Sequence, residues 1–110
     1  MKTIYGIPNC NKMKAIFDLF HSQKLDYTFH NYKKEGIVAE KLSIWLKKHT
    51  VDELINKKGT TYKALNDTDK SNLQDTQLAI EILQKNTSLF KRPIVELADG
   101  SLVLDYLDNK

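Results

Sequence analysis

The sequence predicts an α/β protein with a mixed β-sheet, and two observations support this. A strand pattern, a helical pattern and a second strand pattern follow one another at the start of the chain. Such a crossover makes its two strands parallel. Near the other end, two strand patterns flank Asp99-Gly100, a turn signal typical of an antiparallel hairpin. With 110 residues, the chain fits one domain.

The first three elements are predicted from local patterns. Residues 2–7 contain β-branched and aromatic residues and end in a Gly/Pro signal, which predicts a strand. Apolar residues at helical spacing follow, with Asn9 as the expected cap: Met13, Ile16, Phe17 and Phe20. Residues 25–31 alternate between apolar and polar side chains and predict the second strand.

Residues 33–90 are predicted to form a helical insertion within a single domain of residues 1–110. It opens with a turn at 33–36 and ends with an amphipathic helix at about 74–85. Thr60 and Thr61, which lie between this turn and this helix, are expected to cap a short helix. Two apolar stripes mark the longer helices: Val38, Leu42, Trp45 and Leu46, then Leu78, Ile82 and Leu83. Residues 94–97 and 102–104 are the predicted hairpin strands.

Composition argues against several functional classes. Lys and Arg number 17 and Asp and Glu 14, and this net charge of +3 is too mild to favour nucleic-acid binding. No apolar run is long enough for a membrane span or a signal peptide, so a cytoplasmic location is expected. The single cysteine agrees with that compartment. No His/Cys spacing matches a zinc site, and no metal is expected.

Cys10 is the candidate nucleophile because it lies between the first strand and the first helix. Unpaired backbone N–H groups and the helix dipole favour negative charge at a helix start, and the thiolate is the reactive form of cysteine. Lys12 and Lys14 add positive charge nearby. A small buried apolar role is the alternative, but the loop from strand to helix is an exposed edge of such sheets, which favours the redox role.

The order of elements matches a thioredoxin or glutaredoxin core with a helical insertion. Folds of that kind carry a cis-proline before a strand, facing the reactive cysteine, and Pro93 occupies that place directly after Arg92. They normally end in a further helix. Only residues 105–110 follow the last predicted strand, too few for a full helix.

Three segments together resemble the arsenate reductase (ArsC)/Spx family, and most closely its YffB-like branch. They are residues 5–10 (YGIPNC), 56–62 (NKKGTTY) and 91–95 (KRPIV). The resemblance implies a thioredoxin-like fold and a nucleophilic Cys10. It also implies a glutathione-dependent thiol reductase, with Asn11, Lys58, Arg92 and Pro93 contacting the substrate.

Arsenate reductases of this family hold the oxyanion with three arginines, and this chain keeps one of them, Arg92. Asn56 stands where those enzymes have the second arginine, and Lys58 stands where the YffB-like branch has one. Lysine keeps the charge but not the two-point contact. Asp105 lies near the place of the third arginine. These departures argue against arsenate reduction.

Two functions follow from these observations. The first is a thiol oxidoreductase with no bound cofactor, in which glutathione or another thiol donor resolves an adduct between Cys10 and a small anionic or disulfide substrate. The second is an Spx-like regulatory module that binds a protein partner without turnover. The Cys-x-x-Cys switch of Spx regulators is impossible here, because Met13 occupies the second position and no other cysteine exists.

Overall fold

The computed structural model describes residues 1–8 and 10–107, which group into two compact units. The first unit contains Met1–Glu35 and the chain from Arg92 onward, and the second contains Gly36–Lys91. The sheet and the first helix lie in the first unit, and the other longer helices lie in the second. Among the described residues, no helix is both long and apolar enough to span a bilayer.

The sheet of the first unit has four strands in the order β2-β1-β3-β4. Their bounds are Lys2–Gly6 for β1, Tyr27–Asn31 for β2, Ile94–Glu96 for β3 and Leu102–Val103 for β4. β1 and β2 are parallel, and β3 is antiparallel to both of its neighbours, β1 and β4. The predicted mixed sheet is confirmed, although all its strands are one or two residues shorter than the patterns suggested.

Helix α1, Asn11–Ser22, covers one face of the sheet. Its apolar stripe packs on the strands as predicted, and the buried residues of this layer are Ile4, Met13, Ile16, Phe20 and Val95. The position that caps α1 is Cys10. The predicted cap, Asn9, lies outside the described residues.

The turn predicted at 33–36 is instead a short helix, α2, at Tyr32–Glu35. The side chain of Asn31 accepts a hydrogen bond from the backbone N–H of Lys33 at 3.0 Å, and Glu35 accepts one from the backbone N–H of Asn31 at 3.1 Å. This reciprocal arrangement stabilises a helix start. Gly36 then ends the turn with a φ of 63°.

The second unit is helical, as predicted. Its helices are α3 at Ala39–Lys48, α4 at Val51–Leu54, α5 at Thr60–Ala64, α6 at Asp67–Asn72 and α7 at Thr76–Lys85, followed by a 3₁₀ turn at Thr87–Leu89. Trp45 and Phe90 meet edge to face in its core, with ring centroids 6.0 Å apart. Trp45 is therefore a core residue.

Three local expectations for this unit are wrong. Val38 is 63% exposed because it is the N-cap of α3, and its neighbour Ile37 is buried instead. Leu78 is 39% exposed, since the stripe of α7 that turns inward contains Ala79, Ile80, Ile82 and Leu83. Thr60 and Thr61 do not cap α5, because its N-cap is Gly59 and no side chain caps it.

Candidate active site

Cys10 lies where the chain passes from the end of β1 into α1. It is the N-cap residue of α1, with an extended backbone, and its carbonyl accepts the N–H of Lys14 at 3.0 Å. Its side chain forms no capping hydrogen bond, and the free thiol is partly exposed. First-turn N–H groups of a helix have no intrahelical acceptor, so they can donate hydrogen bonds to a group bound beside Cys10. Cys10 therefore lies at a helix start, as the sequence predicted.

The connection from β1 to α1 is held by a close contact between Gly6 and Met13. The Met13 side chain lies over Gly6 so closely that a Cβ at Gly6 would collide with its Sδ and Cε atoms. Met13 itself is 1% exposed and belongs to the core beneath α1. A larger residue at position 6 would force the buried Met13 side chain or the start of α1 to move.

A groove of about 510 Å³ runs along α1 from its N-terminus, where Cys10 lies. One of its walls is Phe17, whose ring stacks on Tyr27 with a centroid distance of 5.4 Å. The groove is lined by Cys10, Asn11, Met13, Lys14, Phe17 and Asp18. The groove therefore combines the thiol with apolar surface and with side chains of both charges.

Arg92 and Pro93 lie at the same end of the sheet as the loop that carries Cys10. Strand β3 starts at Ile94, which pairs with Tyr5 near the end of β1, so the two residues before it stand beside the exit of β1. The Arg92–Pro93 peptide bond is cis, as predicted. Pro93 is buried and Arg92 is half-buried. Arg92 forms no ion pair with another described residue.

The remaining predicted residues are distributed over both units. Asn11 is the exposed first residue of α1 and lines the groove beside the thiol. Lys58 belongs to the second unit, where it is exposed and its backbone N–H donates to Oδ1 of Asn56 at 3.1 Å. Asp105 is exposed just after β4. Within the first unit, the structure brings Cys10 and Asn11 into one groove, and Arg92 to the same sheet end.

Two lining residues, Phe17 and Asp18, were not predicted as site residues. The pattern placed Phe17 in the core stripe of α1 and gave Asp18 no role. Positions four and eight residues after Cys10 lie on its side of the helix, so spacing alone could have indicated Lys14 and Asp18. No group of three or more His, Cys, Asp or Glu side chains is arranged to hold a metal ion within the described ranges.

The opposite face of the sheet carries a buried phenol at the same end. The hydroxyl of Tyr5 donates to Oε1 of Glu96 at 3.1 Å, and its ring lies 4.8 Å from the His30 ring between centroids. Burial raises the pKa of Tyr5 far above its usual value, and the nearby Glu96 carboxylate raises it further. The Tyr5 hydroxyl therefore stays protonated in the folded protein.

Comparison with known proteins supports one family. The ArsC family profile matches residues 5–104 of this chain. An uncharacterized protein from Haemophilus influenzae is 31% identical over 106 residues, covering 96% of this chain and 91% of that protein. The structure of a YFFB protein is similar, with a TM-score of 0.85 and 35% identity over 94% of this chain and 90% of that one.

An arsenate reductase (ArsC) related protein from Brucella melitensis has a similar structure. Its TM-score is 0.76 at 40% identity, covering 94% of this chain and 84% of that one. The sheet with its crossover helix and C-terminal hairpin agrees with the thioredoxin-like fold of these proteins. The chain therefore belongs to the ArsC family and has that fold, as its residues predicted.

Proposed function

We propose that this member of the ArsC family is a glutathione-dependent thiol oxidoreductase that uses Cys10 as its only nucleophile. One observation carries the proposal. The free, partly exposed thiol is the N-cap residue of α1 and opens into a groove large enough for a small molecule. The thiolate is the form of cysteine that attacks disulfides, and a partly exposed thiol is accessible to them.

The reaction proceeds in two thiol–disulfide exchanges on a mixed disulfide between a substrate thiol and glutathione. The Cys10 thiolate attacks the glutathione sulfur, the substrate–glutathione S–S bond breaks, and the substrate leaves as a thiolate that takes a proton from water. A second glutathione, as its thiolate, attacks the sulfur of the glutathione now joined to Cys10. Oxidised glutathione leaves and the Cys10 thiolate is regenerated. The substrate is reduced by two electrons.

An external thiol is needed because the chain has one cysteine and cannot close an internal disulfide. The reaction therefore needs a reduced glutathione pool such as the cytoplasm holds. In the proposal, the guanidinium of Arg92 offers a two-point contact to an anionic part of the substrate or to a glutathione carboxylate. Asn11 donates a hydrogen bond, and Pro93 orients the backbone of the thiol partner.

The proposal is tested by intact-mass spectrometry after incubation with oxidised glutathione. The wild-type protein should gain one glutathione, and reduced glutathione should then remove it. Cys10→Ser, which keeps a polar side chain of similar size, should gain none. A wild-type protein that stays unmodified while small neutral disulfides do modify it would contradict glutathione dependence.

Arg92→Lys provides a second measurement. Because the charge remains and the planar fork is lost, we expect slower turnover of an anionic mixed disulfide with unchanged reaction toward a neutral one. If Arg92→Lys matches the wild-type rate on both disulfides, Arg92 serves structure or solubility instead. Lys91→Arg, at the neighbouring position, is the matched control.

A further inference from the structure

We propose that the groove along α1 recognises the γ-glutamyl end of glutathione, an inference that rests on the proposed function. In the mixed disulfide with Cys10, the α-carboxylate of the γ-glutamyl group lies at Lys14 and its ammonium lies at Asp18. These two side chains thereby select γ-glutamyl thiols over other disulfides.

The spacing along the helix aligns the three residues. Cys10, Lys14 and Asp18 are four residues apart, so they follow one another along one side of α1. Lys14 stands about 6 Å and Asp18 about 12 Å along the axis from Cys10. Helical side chains tilt toward the N-terminus, which directs both side chains back toward the thiol. All three line the same groove.

The charges in the groove are available to a ligand. Lys14 and Asp18 are exposed, and neither forms an ion pair or a side-chain hydrogen bond with another described residue. A lysine that precedes an aspartate by four residues is the less favourable order for an intrahelical pair. The two opposite charges therefore stand about one turn apart without neutralising each other.

This arrangement matches an α-amino acid group, which carries an ammonium and a carboxylate on one carbon. Oppositely charged side chains about 6 Å apart can hold the two ends of such a zwitterion by charge-assisted hydrogen bonds. Phe17, which is half-buried, provides apolar surface beside the pair for the methylene groups of the ligand. A residue inside a protein chain has no such zwitterion, so the groove favours glutathione over a protein disulfide.

The length of the ligand agrees with this placement. From the Cys10 sulfur through the disulfide and an extended γ-glutamylcysteine, the γ-glutamyl α-carbon lies about 10 Å away. That distance falls between the axial positions of Lys14 and Asp18. In cystine the zwitterion lies within about 5 Å of the sulfur and would not reach Asp18. The glycine end of glutathione has a carboxylate but no ammonium.

The experiment uses intact-mass spectrometry to measure how fast each protein forms a mixed disulfide. The proteins compared are the wild type, Lys14→Gln and Asp18→Asn. Each is treated with oxidised glutathione, the disulfide of γ-glutamylcysteine, the disulfide of cysteinylglycine, and hydroxyethyl disulfide. Lys34→Gln is the matched control, because Lys34 is an exposed lysine of the same unit that does not line the groove. Thermal melts check that each variant is folded.

We expect each groove variant to react about three- to tenfold more slowly with the two γ-glutamyl disulfides, and to keep wild-type rates with the other two. The control should keep wild-type rates throughout. If the wild-type protein forms the glutathione adduct and the variants match it on every disulfide, this inference is wrong while the proposed function stands.

Two other outcomes are also decisive. An equal slowing on all four disulfides would show that Lys14 and Asp18 act on the reactivity of Cys10, which overturns selective recognition. If the wild-type protein reacts with hydroxyethyl disulfide but with neither γ-glutamyl disulfide, the proposed function fails and the inference fails with it.

Discussion

The hydroxyl of Tyr5 on β1 donates a hydrogen bond to Oε1 of Glu96 on the neighbouring strand β3, at 3.1 Å. Both side chains point away from α1, because the adjacent Ile4 and Val95 belong to the core beneath that helix. Tyr5 is 4% exposed, so this bond joins two central strands where little water competes for it. It stabilises the end of the sheet from which the chain leads to Cys10.

The first prediction concerns Tyr5 and alkaline pH. The folded pKa of Tyr5 is raised, so its contribution to the free energy of unfolding is fully present below the unfolded value of about 10. That contribution is lost as the pH rises through the folded pKa. Relative to the wild type, Tyr5→Phe should lower the free energy of unfolding by about 1–2 kcal/mol at neutral pH and by less above about pH 10. Urea denaturation at both pH values measures this.

Absorbance of tyrosinate provides an independent check. Burial also raises the pKa of Tyr32 well above its usual value, so Tyr5 and Tyr32 should ionise only as the protein unfolds. Tyr62→Phe, at a half-buried position in the other unit, is the control and should leave that late ionisation intact. Ionisation of all five tyrosines near pH 10 in the folded protein would contradict the prediction.

The second prediction concerns the contact between Gly6 and Met13. Gly6→Ala should lower the free energy of unfolding by about 1–3 kcal/mol, because the new methyl group collides with the Met13 thioether. It should also slow disulfide exchange at Cys10, since the start of α1 must shift. Chemical denaturation measures the first effect and intact mass the second.

A double-mutant cycle identifies the cause of that loss. Met13→Ala alone should cost about 2–5 kcal/mol by leaving a cavity in the core under α1. Combined with Gly6→Ala, the loss should be smaller than the sum, because the alanine methyl then has space. Additive losses would mean that the collision does not occur.

The third prediction concerns the capping box of α4. The Thr50 side chain accepts the backbone N–H of Glu53, and the Glu53 carboxylate accepts the backbone N–H of Thr50 at 2.9 Å. Thr50→Ala should therefore cost about 1 kcal/mol. Thermal denaturation measures it, and an unchanged melting temperature would show that the box does not stabilise the protein.

The fourth prediction follows from the acid dependence of the same box. The hydrogen bond from the Thr50 backbone, together with His49, lowers the pKa of Glu53. Its stabilisation is present above the unfolded pKa and is lost as pH falls through the folded pKa. Glu53→Gln should flatten this part of the acid unfolding curve, whereas Glu81→Gln on the exposed side of α7 should not. Identical acid curves for wild type and Glu53→Gln would refute this.

The fifth prediction concerns arsenate. The family resemblance implies that Asn56 takes the place of one arginine of the arsenate reductases and that Asp105 lies near the place of another, so we expect negative charge on a bound oxyanion to be poorly stabilised. Arsenate reduction should be slow even with glutathione and glutaredoxin supplied, in a coupled assay of glutathione oxidation. Asp105→Asn, which removes the repelling charge, should raise the rate. Turnover equal to that of a family arsenate reductase would overturn the prediction.

Local sequence patterns were sufficient for the elements that create the candidate site. The apolar spacing of Met13, Ile16 and Phe20 follows the helical period, and Asp99-Gly100 can adopt the backbone of a tight hairpin, with Gly100 at a φ of 90°. The crossover rule then makes β1 and β2 parallel. Cys10 at a helix start follows from this order alone.

Other features depended on packing between distant parts of the chain. A periodic stripe cannot indicate which edge of a helix faces inward, so Leu78 was expected in the core and is exposed. It also cannot fix the residue at which a helix begins, so Val38, the N-cap of α3, was expected in the core and is exposed. The helix at Tyr32–Glu35 was missed because the side-chain bonds that cap it outweigh the turn preference of Gly36.

The sequence by itself determined the α/β class, the parallel pair of β1 and β2, the antiparallel hairpin of β3 and β4, and the candidate nucleophile Cys10. Each depends on interactions between residues close together in the sequence, whose preferences can be read locally. Only the tertiary structure decided that Phe17 and Asp18 share a groove with Cys10, and that Arg92 lies at the same end of the sheet. Those relationships arise when α1 and β3 pack against β1, which brings together groups that no local pattern relates.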